Sequence, residues 1–177
     1  MNLGLLVIRV VVGALLCGHG AQKLWGWFGG HGLNGTGAFF ETLGLRPGGL
    51  HAALAGASEL TGGALLALGL ITPLAAALIS AVMLTAIWTV HGPKGLWVTD
   101  GGFEYNLVIL AAVFACTAVG AGAWSLDSAL GLSGAGAAWA VGQLAAGAIG
   151  ALVAVTGAEM SRSRAQPRDY GSPRPTH

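Results

Sequence analysis

Charge is scarce in this chain. Only 8% of its 177 residues are Asp, Glu, Lys or Arg, where a soluble domain carries about 25%. With a net charge of +1 and four of the eight basic residues in the last 16 positions, there is no basic stripe for nucleic acid. Cysteine is almost as scarce. Cys17 and Cys116 both fall inside apolar segments and no CxxC occurs, which argues against a disulfide framework or a thiol relay and leaves each as a small packing residue. No strand pattern precedes a glycine-rich loop, so nucleotide-binding fingerprints lack their context. A secretory signal lacks its basic start: Arg9 interrupts the first apolar run, and Leu16 stands where a lipid-modified Cys17 would need a small residue. Residues 1–22 therefore read as a retained first span.

What fills the chain is Leu, Ala, Val and Gly. Hydrophobic residues make up 54% and the mean hydropathy is +0.72, the composition of a multi-span integral membrane protein. Spans are expected at about 3–24, 51–71, 74–91 and 104–119, with a further helix at 135–157 and a disordered basic cytoplasmic tail at 158–177. On span one, Arg9, Gly13, Leu16, Gly20 and Lys23 alternate at spacings of four and three and share a face. On span two, small residues including Gly56, Gly62 and Gly63 surround Glu59. Residues 37–45 read as a short interfacial helix, and Trp25, Trp27 and Trp97 as an aromatic belt. Gly142, Ala146 and Gly150 form a small-residue face on the last helix, suited to a partner helix or a homo-oligomer.

The polar residues cluster in an internal repeat. HGAQKLWGWFGG (19–30) returns as HGPKGLWVTDGG (91–102), with His, Leu-Trp and Gly matches at a constant offset of 72 (19 to 91). Two repeat-related hairpins are expected. If the spans alternate and the tail is cytoplasmic, Lys23, Arg46, Lys94 and the tail arginines lie inside and only Arg9 outside, giving an N-terminus out and a C-terminus in.

An intramembrane ionisable group costs about 2.5–3.5 kcal/mol at a helix centre, so Glu59 needs a partner, a proton or a task. One reading pairs it with Arg9 or hydrogen-bonds it across helices. The other makes it a proton acceptor for a bound redox ligand such as a quinone. His19 and His91 read as helix-end caps or as ligand hydrogen-bonding groups. Axial haem ligation is the weaker alternative, having no spacing motif behind it, and no metal site is assigned. Asp100, Glu104 and Tyr105 form a turn and an acidic helix start.

The ordered set Arg9, His19-Gly20-xx-Lys23-Leu24, Trp25-Gly26-Trp27-Phe28, Glu59, His91-Gly92-Pro93, Asp100-Gly101-Gly102-x-Glu104-Tyr105 and Trp124-Ser125-Leu126-Asp127 resembles the DoxX family of small bacterial membrane proteins over residues 3–130. The resemblance implies a four-helix membrane bundle over 1–130, with relatives such as the small membrane subunit of thiosulfate:quinone oxidoreductase. It also implies that Arg9, His19, Lys23, Glu59, His91, Asp100, Glu104 and Tyr105 form a polar core. Combining resemblance and residues, the chain is expected to be an all-α protein of four spans plus a fifth, in the bacterial inner membrane. Its expected role is a redox subunit binding a quinone or similar ligand, with Glu59, His19 and His91 exchanging protons and a partner protein supplying electrons. A small-solute carrier and a non-catalytic scaffold are the alternatives.

Overall fold

The structure is a computed structural model that describes residues 2–165, with side chains described to 157. Its helices are α1 (Asn2–Trp25), α2 (Gly32–Thr42), α3 (Gly48–Leu68), α4 (Thr72–Ala86), α5 (Glu104–Val119), α6 (Leu126–Ala129) and α7 (Ala137–Ala165), and no strand occurs among the described residues. A π turn (Ile87–His91) and a 3-10 turn (Gly92–Lys94) extend α4. Among the described residues three helices have the length and apolarity to cross a membrane: Asn2–Trp25, Thr72–Lys94 and Ala137–Gly157. Of the other expected spans, α5 has 16 residues, and α3 is diluted by Gly, Ser, Thr, His51 and Glu59. The interfacial helix expected at 37–45 forms earlier, as α2. Where the sequence reading begins a tail, α7 continues to Ala165; residues 166–177 of that expected tail lie outside the described residues.

Lipid tails are as apolar as leucine, so helices in a bilayer are drawn together by close contact rather than by hydrophobic transfer. The α1–α3 pair shows this directly. A Cβ on Gly13 would lie 2.5 Å from Gly63 O, and one on Gly20 would lie 2.7 Å from Gly56 O. The two antiparallel backbones therefore touch at two levels, seven residues apart on each helix. The face expected on α1 is the buried one: Arg9, Gly13, Leu16 and Gly20. Val7, Val11 and Leu15 point outward, as lipid-facing residues should.

Beyond this pair, α3 turns into α4, α4 packs on α5 and α7, and α7 closes over α5. Leu16, Leu66, Ile79, Met83, Ile109, Val113 and Cys116 form the shared core. On α7 the face packed within the chain differs from the small-residue face suited to a partner helix. Gly147 lies directly on Ser80 and Ala81, and Ala140 and Gln143 are buried, while Gly142 has nothing near its Cβ position. Of the two glycines in that stripe, Gly150 meets α4, with its Cβ position 3.1 Å from Ala81. Residues three and four apart recur on several faces of so apolar a helix, and only the neighbour decides which face is used.

Candidate functional site

At the end of the bundle where α1 finishes, Lys23 lies in the last turn of the helix. The tight α1–α3 contact at Gly20 and Gly56 brings that turn over Glu59. Lys23 Nζ donates to both carboxylate oxygens of Glu59, at 2.8 and 2.6 Å. Glu59 is 3% exposed, while the Lys23 side chain keeps 23% exposure. The pair thus joins a buried acceptor to a cation that reaches the edge of the bundle along its alkyl stem.

Two further side chains approach from neighbouring turns. His19, one turn before Lys23, meets Tyr105 of α5 edge-on with ring centroids 6.2 Å apart. Both lie within electrostatic reach of Glu59. Asn106, the next residue on α5, is buried and donates to Met83 Sδ at 3.4 Å. The structure thus brings together His19, Lys23, Glu59 and Tyr105, contributed by α1, α3 and α5.

The other expected site residues have different partners. His91 Nδ1 is 2.7 Å from Gly101 O, and Glu104 accepts the N–H of Val98 at 3.0 Å. These bonds fasten the 92–103 loop to the elements that flank it. Asp100 closes a 3-10 turn within it, its backbone N–H donating to Trp97 O at 3.1 Å.

Arg9 does not pair with Glu59. It lies near the other end of α1, 1% exposed, and donates to Ala121 O and Trp124 O, both at 2.6 Å. Fourteen positions separate Arg9 from Lys23 on one helix, about 21 Å at 1.5 Å per residue. That distance is why the nearer cation takes the carboxylate.

The chain has 31% identity over 116 residues to a curated protein of Bacillus subtilis (strain 168) named "Putative oxidoreductase CatD", covering 66% of this chain and 80% of that one. The DoxX family matches residues 4–92, half of the chain. The chain belongs to the DoxX family. It is a multi-pass membrane protein, and its apolar helices fit a lipid bilayer. No solved structure matches it significantly.

Asp127 is a residue whose weight in this DoxX protein sequence reasoning missed. It is buried, accepts the N–H groups of Ile71 and Thr72 at 2.7 and 3.0 Å, and takes the Thr72 hydroxyl at 2.6 Å. Both pieces are visible in the sequence, a Trp-Ser-Leu-Asp turn and a Thr72-Pro73 helix start. Nothing in the sequence joins two turns that are 55 residues apart.

A groove also lies at that end, away from the Lys23–Glu59 pair. It has a volume of about 840 Å³ and runs between α4 and α7, lined by Pro73, Leu74, Trp139 and Gln143 among others. Its carboxylate, Asp127, is already committed to the start of α4. Gln143 bonds Ser80 through Oε1 at 3.0 Å, and its Nε2 has no partner. The Lys23–Glu59 cluster is the better candidate, because there a buried carboxylate is held by a cation that reaches the edge of the bundle, with His19 and Tyr105 beside it.

Proposed function

We propose that this protein is the membrane subunit of a redox system and binds a quinone or a similar small ligand beside the Lys23–Glu59 pair. The observation that carries the reading is the buried carboxylate held at 2.6 Å by a partly exposed lysine, with His19 and Tyr105 next to it. The oxidoreductase name of the Bacillus subtilis relative supports the same class. Lys23 and Tyr105 offer hydrogen-bond donors to a ligand carbonyl, His19 adds one when it is protonated, and Glu59 takes or returns a proton. The residues fit such a ligand chemically, as neutral oxygens on a flat apolar body need donors at a membrane edge. His91, Asp100 and Glu104 order the neighbouring loop, and Arg9 anchors the far end. With no thiol relay or flavin fingerprint of its own, the chain receives electrons from a partner protein.

In this reading α1, α3, α4 and α5 are the four spans of the DoxX-like unit of residues 1–130, and α7 is a fifth. Lys23, Arg46 and Lys94 sit at the same end of the bundle and Arg9 near the other. Under the positive-inside rule the candidate site then faces the cytoplasm and the N-terminus lies outside, in a bacterial inner membrane.

The test is mass spectrometry of organic extracts from protein purified in mild detergent, wild type beside Glu59→Gln, with an optical spectrum of each. A quinone retained by wild type and lost from a folded Glu59→Gln is expected. Wild type without quinone, together with solute flux in liposomes holding this protein alone, would replace the reading with a carrier.

A further inference from the structure

Two hydrogen bonds meet on Gln22, in the last turn of α1. Its Nε2 donates to Phe28 O at 3.2 Å, and its Oε1 lies 3.1 Å from His19 Nδ1. A backbone carbonyl only accepts, so the amide NH2 of Gln22 must face Phe28 and its oxygen must face His19. That oxygen also only accepts. His19 Nδ1 is therefore the protonated nitrogen, and in the neutral ring Nε2 is left as a bare lone pair. We infer that Gln22 is a positioning residue that locks His19 in the Nδ1–H tautomer, so that protons enter and leave His19 only at Nε2.

The loop after α1 is shaped to present that carbonyl. Phe28 adopts φ 51° and ψ 36°, a left-handed conformation uncommon for a bulky residue. Gly30 packs so closely on the Gln22 backbone that any side chain there would collide. Phe28 itself is 74% exposed, so burial of its ring does not account for the geometry. Turning the Gln22 amide over would set two carbonyl oxygens against each other at Phe28.

His91 reaches the same tautomer by a different route, its Nδ1 donating directly to Gly101 O at 2.7 Å. In the neutral ring of each repeat-related histidine Nε2 is thus the acceptor. In the imidazolium both nitrogens donate, and the Gln22 bond persists, so His19 takes up and gives back a proton at Nε2 without rearranging. The use of that proton by a ligand rests on the proposed function; the tautomer does not.

The experiment is 15N NMR of histidine-labelled full-length protein in lipid nanodiscs, at a pH high enough to keep the imidazoles neutral. Signals are assigned by their loss in His19→Asn and His91→Asn. Wild type is expected to show Nδ1–H at both positions. Gln22→Met should move the His19 proton wholly or partly to Nε2 and leave His91 unchanged. Gln22→Glu, whose carboxylate still accepts from Nδ1, should keep the wild-type tautomer. Nε2–H at His19 in wild type, or an unchanged His19 in Gln22→Met, would overturn the inference. The wild-type spectrum decides even if a variant fails to fold. An absent quinone with Nδ1–H present would count against the proposed function alone.

Discussion

Asp127 accepts both the backbone N–H and the hydroxyl of Thr72, at 3.0 and 2.6 Å, and so caps a helix from another part of the chain. The first N–H groups of α4 have no partner within the helix. The preceding residue, Ile71, has φ 46°, a costly conformation for a β-branched side chain. Its N–H donates to the other Asp127 oxygen at 2.7 Å. One carboxylate thus holds a strained turn and a helix start together.

Asp127→Ala should therefore lower stability by about 1–3 kcal/mol, the cost of stranding buried donors. Asp127→Asn, which keeps one acceptor oxygen, should lose less. Unfolding midpoints in detergent read this directly, and equal midpoints for wild type and Asp127→Ala would sink the capping role.

Arg9 secures the same region. Its two 2.6 Å bonds to Ala121 O and Trp124 O hold the segment that carries Asp127. Lysine offers a point charge in place of the planar fork, so Arg9→Lys is expected to cost about 1.5–3 kcal/mol. It should also speed proteolysis between 120 and 134. Unchanged cleavage kinetics would show that the guanidinium does not restrain this segment.

The α1–α3 seam gives a contrast between glycines. Gly13→Ala would place a methyl 2.5 Å from Gly63 O, whereas Gly142→Ala meets nothing within 4 Å. Gly13→Ala should destabilise by about 1–3 kcal/mol through overpacking, and Gly142→Ala should be close to neutral. Thermal aggregation midpoints compare the two, and equal shifts would contradict the arrangement of helices described above.

The Lys23–Glu59 contact can be measured by a double-mutant cycle with Lys23→Met and Glu59→Gln. Contacting partners typically couple by about 0.5–3 kcal/mol. Glu59→Gln alone should cost less than Lys23→Met alone, because Lys23 is partly exposed and Glu59 is buried, so only the carboxylate is left without solvent when its partner is lost. Additive effects would mean that the two groups do not bond.

Much of the helical layout follows from composition and spacing alone. Scarce charge and long apolar runs specify membrane helices, and the four-and-three spacing of Arg9, Gly13, Leu16 and Gly20 specifies which face of α1 is buried, because helix periodicity is a property of the backbone. That His19 and Lys23 share one end of α1 was also legible, since their depths follow from their positions along the helix. Their partners were not. Arg9 and Lys23 share one face of α1, and only the antiparallel fit of Gly13 to Gly63 and Gly20 to Gly56 sets which cation meets Glu59. The role of Asp127 and the packed face of α7 were likewise decided by tertiary structure. A single helix carries no record of its neighbours' register; that comes from which backbones approach closely and which buried donors then need an acceptor.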